Sequence, residues 1–166
     1  MAKVYLLLGS SLGDRTAYLK KAMELIEMHM GSVEKYSSVY ETPPWGFNDE
    51  HQFLNQALLV DSAAEPLRIL ELIHAIEQAL GRHRTNQGYA PRTLDIDILF
   101  YDNILLNIPE LTIPHPLLHE RRFALAPLCE IAPDLWHPAL KQTVQQLFNS
   151  CPDNSVLKVL ETKENL

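Results

Sequence analysis

Apolar residues in this chain recur at two spacings, and the alternation between them predicts the order of elements. Residues 4–8 form an unbroken apolar run closed by Gly9, which suits a central strand. Asp14 is placed to cap a helix whose Tyr18, Leu19, Ala22, Met23, Ile26 and Met30 keep helical spacing until Gly31. Residues 32–41 and 53–60 favour strand. Between them Thr42, Pro43, Pro44, Trp45, Gly46, Phe47 and Asn48 make a stretch too stiff for a tight hairpin, and Trp45 there suggests a binding edge. Pro66 stands at the start of a second helix, with Leu70, Ile73, Ile76 and Leu80 in one stripe ending at Gly81. Residues 82–91 carry no period, and residues 93–101 read as a strand.

The order β, α, β, β, α, β is that of an α+β, ferredoxin-like sandwich, an antiparallel sheet with helices on one face. From Asp102 onward the pattern adds a short pair around Ile104 and residues 111–113, a helix over 116–129, a last helix starting at Thr143, and a short strand near 156–160. There is no internal repeat or linker composition, so residues 1–166 are read as a single domain.

Composition narrows the class. With 14 Lys+Arg against 21 Asp+Glu the formal charge is −7, which argues against a nucleic-acid or anionic-membrane surface. The first apolar run is too short for a signal segment, and Cys129 and Cys151 are one widely spaced pair without a CxxC motif. A cytoplasmic protein without nucleic-acid or membrane partners is expected, a monomer with a homodimer as the alternative.

Candidate chemistry concentrates in the strand over 93–101, where Asp95 and Asp97 interrupt Leu94, Ile96, Ile98 and Phe100. Strand alternation sends the four apolar residues to the core and both acids to the other face. Burying an unpaired carboxylate costs several kcal/mol, so the pair needs cations nearby. Its α-carbons lie roughly 6 to 7 Å apart, within reach of two metal ions about 3.5 to 4 Å apart, as in sites that handle phosphoryl groups. A strand with a solvated polar face is the plainer reading of an isolated Asp-x-Asp.

The cations weigh against it. From Lys35 to Lys141 there is no lysine, and every cation between is an arginine: Arg68, Arg82, Arg84, Arg92, Arg121 and Arg122. Guanidinium grips phosphate through two parallel hydrogen bonds. Arg68 and Arg122 read as surface cations paired with glutamates, whereas Arg82, Arg84 and Arg92 crowd the acids. Residues 9–13 are not a phosphate loop, because they lack the Lys-Ser/Thr ending and Asp14 would repel phosphate. A zinc site at His115 and His119 is not expected, since Pro114 and Pro116 break the local helix.

Separated blocks then coincide with one family: Leu8-Gly9-Ser10-Ser11-Leu12-Gly13-Asp14-Arg15, Tyr40-Glu41-Thr42-Pro43-Pro44-Trp45-Gly46, Phe53-Leu54-Asn55, Gly81-Arg82-His83-Arg84, Ala90-Pro91-Arg92-Thr93-Leu94-Asp95-Ile96-Asp97-Ile98, and Ile113-Pro114-His115-Pro116 followed by Arg121 and Phe123. Over nearly its whole length the chain resembles the 6-hydroxymethyl-7,8-dihydropterin pyrophosphokinases of folate synthesis, which move diphosphate from ATP to a pterin alcohol and release AMP. The resemblance implies that Asp95 and Asp97 hold two Mg²⁺ ions on the ATP phosphates, and that Arg82 and Arg92 close over those phosphates. It places Arg84 and Glu77 on the nucleotide side, His115 and Arg121 at the nucleotide phosphates, and Thr112 and Ile98 in the adenosine pocket. Phe53 and Phe123 would sandwich the pterin, while Asn55 and the backbone of Thr42, Pro43 and Trp45 would read its hydrogen-bonding edge.

Residue chemistry agrees at one point independently: Phe53 and Asn55 are two apart in a strand, so one face offers both stacking area and an amide donor and acceptor. The chain departs from the family at Ser11, Gly88 and Tyr89, the last where an aromatic packs over the site. The base for the hydroxyl proton is open between Asp97 and a metal-bound water. A metal-dependent glycosyltransferase and a non-catalytic effector-binding module of the same fold are the competing readings, and a monofunctional enzyme is expected at this length.

Overall fold

The computed structural model describes residues 1–11, 13–42, 52–81 and 94–161. The apolar run opens as β1 (Ala2–Ser10), and α1 (Arg15–His29) follows, its first turn capped by Asp14, whose carboxylate accepts from Ala17 N at 3.1 Å. The next stretch divides into β2 (Ser32–Tyr36) and β3 (Val39–Thr42). Both pieces pair with β4 (Phe53–Ser62). The single strand expected over 32–41 is therefore broken. Ser37 makes the break, donating its N–H to Ala57 O and accepting from Ala57 N through its hydroxyl, both at 2.9 Å.

α2 (Pro66–Ala79) begins on its proline, and β5 (Asp95–Tyr101) completes the sheet beside β1. β6 (Leu106–Ile108) and β7 (Leu111–Ile113) form the short pair expected there. The helix expected over 116–129 is a 3₁₀ turn at Leu118–Glu120 followed by α3 (Arg122–Ile131). Pro116 thus lies outside it. β8 (Trp136–His137) and β9 (Gln142–Thr143) make a two-residue ladder with no prior signal. α4 (Val144–Asn149) starts at Thr143 through a capping box with Gln146, and β10 (Lys158–Glu161) closes the chain against β3.

The strand order is β10-β3-β4-β1-β5, all antiparallel, with β2 extending β3 along β4. One face packs Val4, Leu6, Leu8, Leu54, Leu58 and Val60 against Leu19, Ala22 and Ile26 of α1 and Ile69 and Ile73 of α2. The other packs Leu7, Ala57, Leu59 and Phe100 against Leu125 and Leu128 of α3 and Val144 and Leu147 of α4. Helices thus cover both faces rather than one, because the C-terminal segment has an apolar stripe of its own to bury.

β5 carries a further correction. Leu94, Ile96 and Ile98 join the α1/α2 core as expected, but Phe100 belongs to the opposite one. The register shifts between Tyr5↔Phe100 and Leu6↔Ile98, so Leu99 is an extra residue, a β-bulge that reverses the alternation beyond it. No helix among the described residues is long and apolar enough to cross a membrane.

Candidate active site

The sheet register assembles the site. Tyr40, Asn55, Gly9 and Asp95 lie in one row across β3, β4, β1 and β5. Directly opposed residues of antiparallel strands share a face. It is the α3 face, since the next row joins Ala57 and Leu7 of that core to Asp97. Asn55 and Asp95 consequently stand on one surface, roughly 10 Å apart, with only a hydrogen for a side chain between them at Gly9.

On the β4 side, Asn55 is 3% exposed and donates through Nδ2 to Thr42 Oγ1 at 3.0 Å, which fixes the amide plane. Thr42 is buried as well, and Phe53 is half-buried on the same face of β4 as Asn55. α3 packs on β4 and β3 and brings half-buried Phe123 to this face at its first turn. Arg121, 8% exposed, ends the 3₁₀ turn with its guanidinium carbon 5.6 Å from the centre of the Phe123 ring. That is a cation–π distance, and it joins a nucleotide-side candidate to a pterin-side one.

On the β5 side, Asp95 and Asp97 are both half-buried and flank inward-facing Ile96. The bulge now has a consequence: the His115 N–H donates to Leu99 O at 3.1 Å, seating His115 beside the strand of acids. Burial and the Arg121 charge lower the His115 pKa to about 4, with Asp95 opposing the shift. His115 Nδ1 accepts from Leu117 N at 3.2 Å, so the ring is neutral and its hydrogen sits on Nε2. Asp95 and Arg121 therefore both act electrostatically on His115.

A cavity of about 270 Å³ lies along the outer edge of β5, lined by Leu70 and Ile73 of α2, by Ile96, Asp97 and Ile98, and by Pro109, Glu110, Leu111, Thr112, His115 and Pro116. The structure thus brings Ile98, Thr112, His115 and Asp97 around one hollow whose surface is polar and apolar in similar measure, able to take a small molecule with both kinds of group. Leu70 lines it as well, although its place in the α2 stripe had marked it as core.

Glu77, which the resemblance puts on the nucleotide side, is 2% exposed and is not among the residues lining this cavity; its Oε2 accepts from Ile96 N at 2.9 Å. β5 is an edge strand among the described residues, so this N–H has no ladder partner, and α2 supplies one between the two acids. Pro43, Trp45, Arg82, Arg84, Tyr89 and Arg92 lie outside the described residues. Sequence reasoning gave no role to Leu70, and it did not name the residues that Gly9 meets. The strand pairing that places Gly9 between Asn55 and Asp95 is a long-range fact without a local pattern.

Comparison with known proteins follows the same lines. Solved structures of like fold include an HPPK-DHPS in complex with substrates, with a TM-score of 0.73 at 16% identity over 90% of this chain and 43% of that one. Wild-type HPPK-DHPS of Plasmodium falciparum gives 0.73 at 18% identity, over 89% and 44%. This chain thus spans less than half the length of either. Among curated relatives, the 2-amino-4-hydroxy-6-hydroxymethyldihydropteridine pyrophosphokinase of Bacillus subtilis is 44% identical over 128 residues, 76% of each chain. The protein of the same name from Aquifex aeolicus is 39% identical over 156 residues, 94% of each. The family model described as 7,8-dihydro-6-hydroxymethylpterin-pyrophosphokinase (HPPK) matches residues 5–133, and it is to this family that the chain belongs.

Proposed function

We propose that the chain transfers diphosphate from ATP to the hydroxymethyl oxygen of 6-hydroxymethyl-7,8-dihydropterin in folate biosynthesis, with Asn55, Phe53 and Phe123 holding the pterin and the β5-edge cavity holding the nucleotide. The observation that carries the assignment of sites is the single row in which Asn55 and Asp95 flank Gly9, beside the cavity that Asp97 lines. A pterin on Asn55 has its hydroxymethyl group directed along the row toward the acids, and a nucleotide in the cavity extends its phosphates toward the same acids.

Asp95 and Asp97 offer only carboxylate oxygens, half-buried on one face. That donor set suits Mg²⁺, which takes one or two carboxylates and completes its shell with phosphate oxygens and water. Two such ions, when bound, neutralise charge on the triphosphate. In the transfer, the pterin oxygen forms a bond to the β-phosphorus, the bond from that phosphorus to the α,β-bridging oxygen breaks, AMP departs, and the hydroxyl proton passes to Asp97 or to water.

The remaining residues bind and orient. His115 offers a neutral Nε2–H to a phosphate oxygen, and Arg121 a buried guanidinium. Ile98 and Thr112 border the adenosine. Arg82, Arg84 and Arg92 are assigned from the family motifs to the phosphates, where charge builds in the transition state. Pro43 and Trp45 are assigned to the pterin edge and Tyr89 to the cover over it on the same grounds. Glu77 acts indirectly, through Ile96.

Incubation with ATP, Mg²⁺ and the pterin alcohol, with products separated by anion exchange, tests the reading. AMP and the pterin diphosphate in equal amounts are expected. ADP, or ATP consumption independent of the pterin, would overturn it.

A further inference from the structure

The carboxylate of Glu130 stands outside the chemistry described above, yet it takes three hydrogen bonds. Oε1 accepts from the Tyr40 hydroxyl at 2.7 Å, and Oε2 from Ser38 N at 2.9 Å and Ser38 Oγ at 3.3 Å. All three donors lie at or just before β3, and all are neutral. Burial and the Glu130 carboxylate raise the Tyr40 pKa, so the phenol remains a donor throughout the range in which an enzyme works.

Both ends of this link lead to the pterin slot. Tyr40 is directly opposite Asn55 in the β3–β4 ladder, and two residues on, Thr42 Oγ1 accepts from the Asn55 amide. Glu130 follows Phe123 by seven residues on α3, about two turns, so the two share one stripe of the helix. Pro127 lies between them and has no N–H to give the Phe123 carbonyl, so the helix ladder is interrupted directly behind Phe123. The first turn of α3 is held less by its own ladder and more by how the helix is seated on the sheet.

We infer that Glu130 is a positioning residue for the pterin slot: by clamping the last turn of α3 to Ser38 and Tyr40, it sets the height of Phe123 above the face that carries Phe53 and Asn55. This rests on the assignment of Phe53, Asn55 and Phe123 to the pterin. A lever of about 10 Å separates the clamp from the ring, so a small tilt at Glu130 changes the spacing between the aromatic plates. The cavity assigned to the nucleotide, built from α2, β5 and the β6–β7 pair, shares no residue with the clamp, and among the described residues assigned to the nucleotide the cation–π contact with Phe123 belongs to Arg121.

The test compares wild type with Glu130→Ala, Glu130→Gln and Tyr40→Phe, measuring pterin KM at saturating ATP and Mg²⁺ and, by calorimetry, the Kd of a non-hydrolysable ATP analogue. Loss of one charge-assisted hydrogen bond corresponds to about a tenfold change where it acts directly, and only part of this reaches Phe123, so Glu130→Ala, which removes all three bonds, raises pterin KM about tenfold with analogue Kd within about twofold. Tyr40→Phe raises it about threefold, and Glu130→Gln lies between, since an amide keeps one acceptor oxygen of two. The Glu130→Ala/Tyr40→Phe pair is no worse than Glu130→Ala alone, because both remove the same link. Pterin KM and analogue Kd rising in step with a falling Tm, or an unchanged pterin KM in both Tyr40→Phe and Glu130→Gln, would overturn the positioning role. Should Glu130→Ala fail to fold, Tyr40→Phe, which removes only a hydroxyl, decides the matter. Failure of the underlying assignment shows separately, as wild type that releases no AMP.

Discussion

A β-carbon on Gly9 would lie 3.3 Å from Oδ1 of Asn55, so a side chain on β1 at the centre of the site fits only if the Asn55 amide yields by a few tenths of an ångström. Asn55 has little freedom to retreat, because its Nδ2 is committed to Thr42. Gly9→Ala therefore turns the amide or lifts the pterin from it. Overpacking of this kind costs about 1–3 kcal/mol. Pterin Kd is expected to rise about tenfold, while binding of an ATP analogue stays within about twofold. Calorimetric titration of each ligand checks this; equal affinity for the pterin in both proteins would contradict the placement of Asn55.

Removal of the Glu77 carboxylate leaves the Ile96 N–H buried at the sheet edge without its acceptor. Such a group costs about 1–3 kcal/mol, a fall in Tm of about 2 to 10 °C for a domain of this size. Glu77→Ala is expected to show that fall. Glu77→Gln, which retains an acceptor oxygen, should fall by less than half as much. Identical melting of the two variants would mean that the Ile96 bond does not stabilise the strand.

These two residues also mark where sequence reading stops. The order β, α, β, β, α, β was legible because the first strands and helices have clean periods and caps, and Asp14, Pro66 and Thr143 each begin a helix as expected. The bulge at Leu99 was not legible, because Leu99 and Phe100 are both apolar and an extra apolar residue leaves no mark on the pattern. Nor was the break at Ser37, made by hydrogen bonds to Ala57 twenty residues away. The side of the sheet that α3 covers follows from tertiary packing alone. Asp95 and Asp97 announced themselves as charges in an apolar strand, whereas the partner of Glu77 and the neighbours of Gly9 depend on cross-strand register.

Asp97 lines the cavity at the outer edge of β5 and shares a strand face with Asp95, so two carboxylates stand side by side there. Asp97→Ala removes a proposed metal ligand and a like charge together. Turnover is expected to fall by at least about a thousandfold, in keeping with loss of a principal electrostatic contribution, while Tm holds or rises. A chelator should reproduce the kinetic loss in wild type, reversed by added Mg²⁺. Turnover that survives both treatments would remove the acids from the chemistry.

His115 makes stability depend on pH in a definite direction. Its pKa is lowered to about 4 by burial and by Arg121, against the opposing charge of Asp95, whereas in the unfolded chain an ordinary histidine titrates near about 6.5. Between these values the unfolded chain binds a proton that the folded one does not, so stability rises with pH across that interval and is level above it. Acidification from about pH 7 to about pH 5 is therefore expected to destabilise the wild type more than His115→Gln, which has no proton to take up in either state. Urea unfolding at both pH values measures the difference. Parallel losses in the two proteins would show that His115 is not held neutral by the fold, and the Nε2–H assigned to the phosphates would then have to be that of an imidazolium.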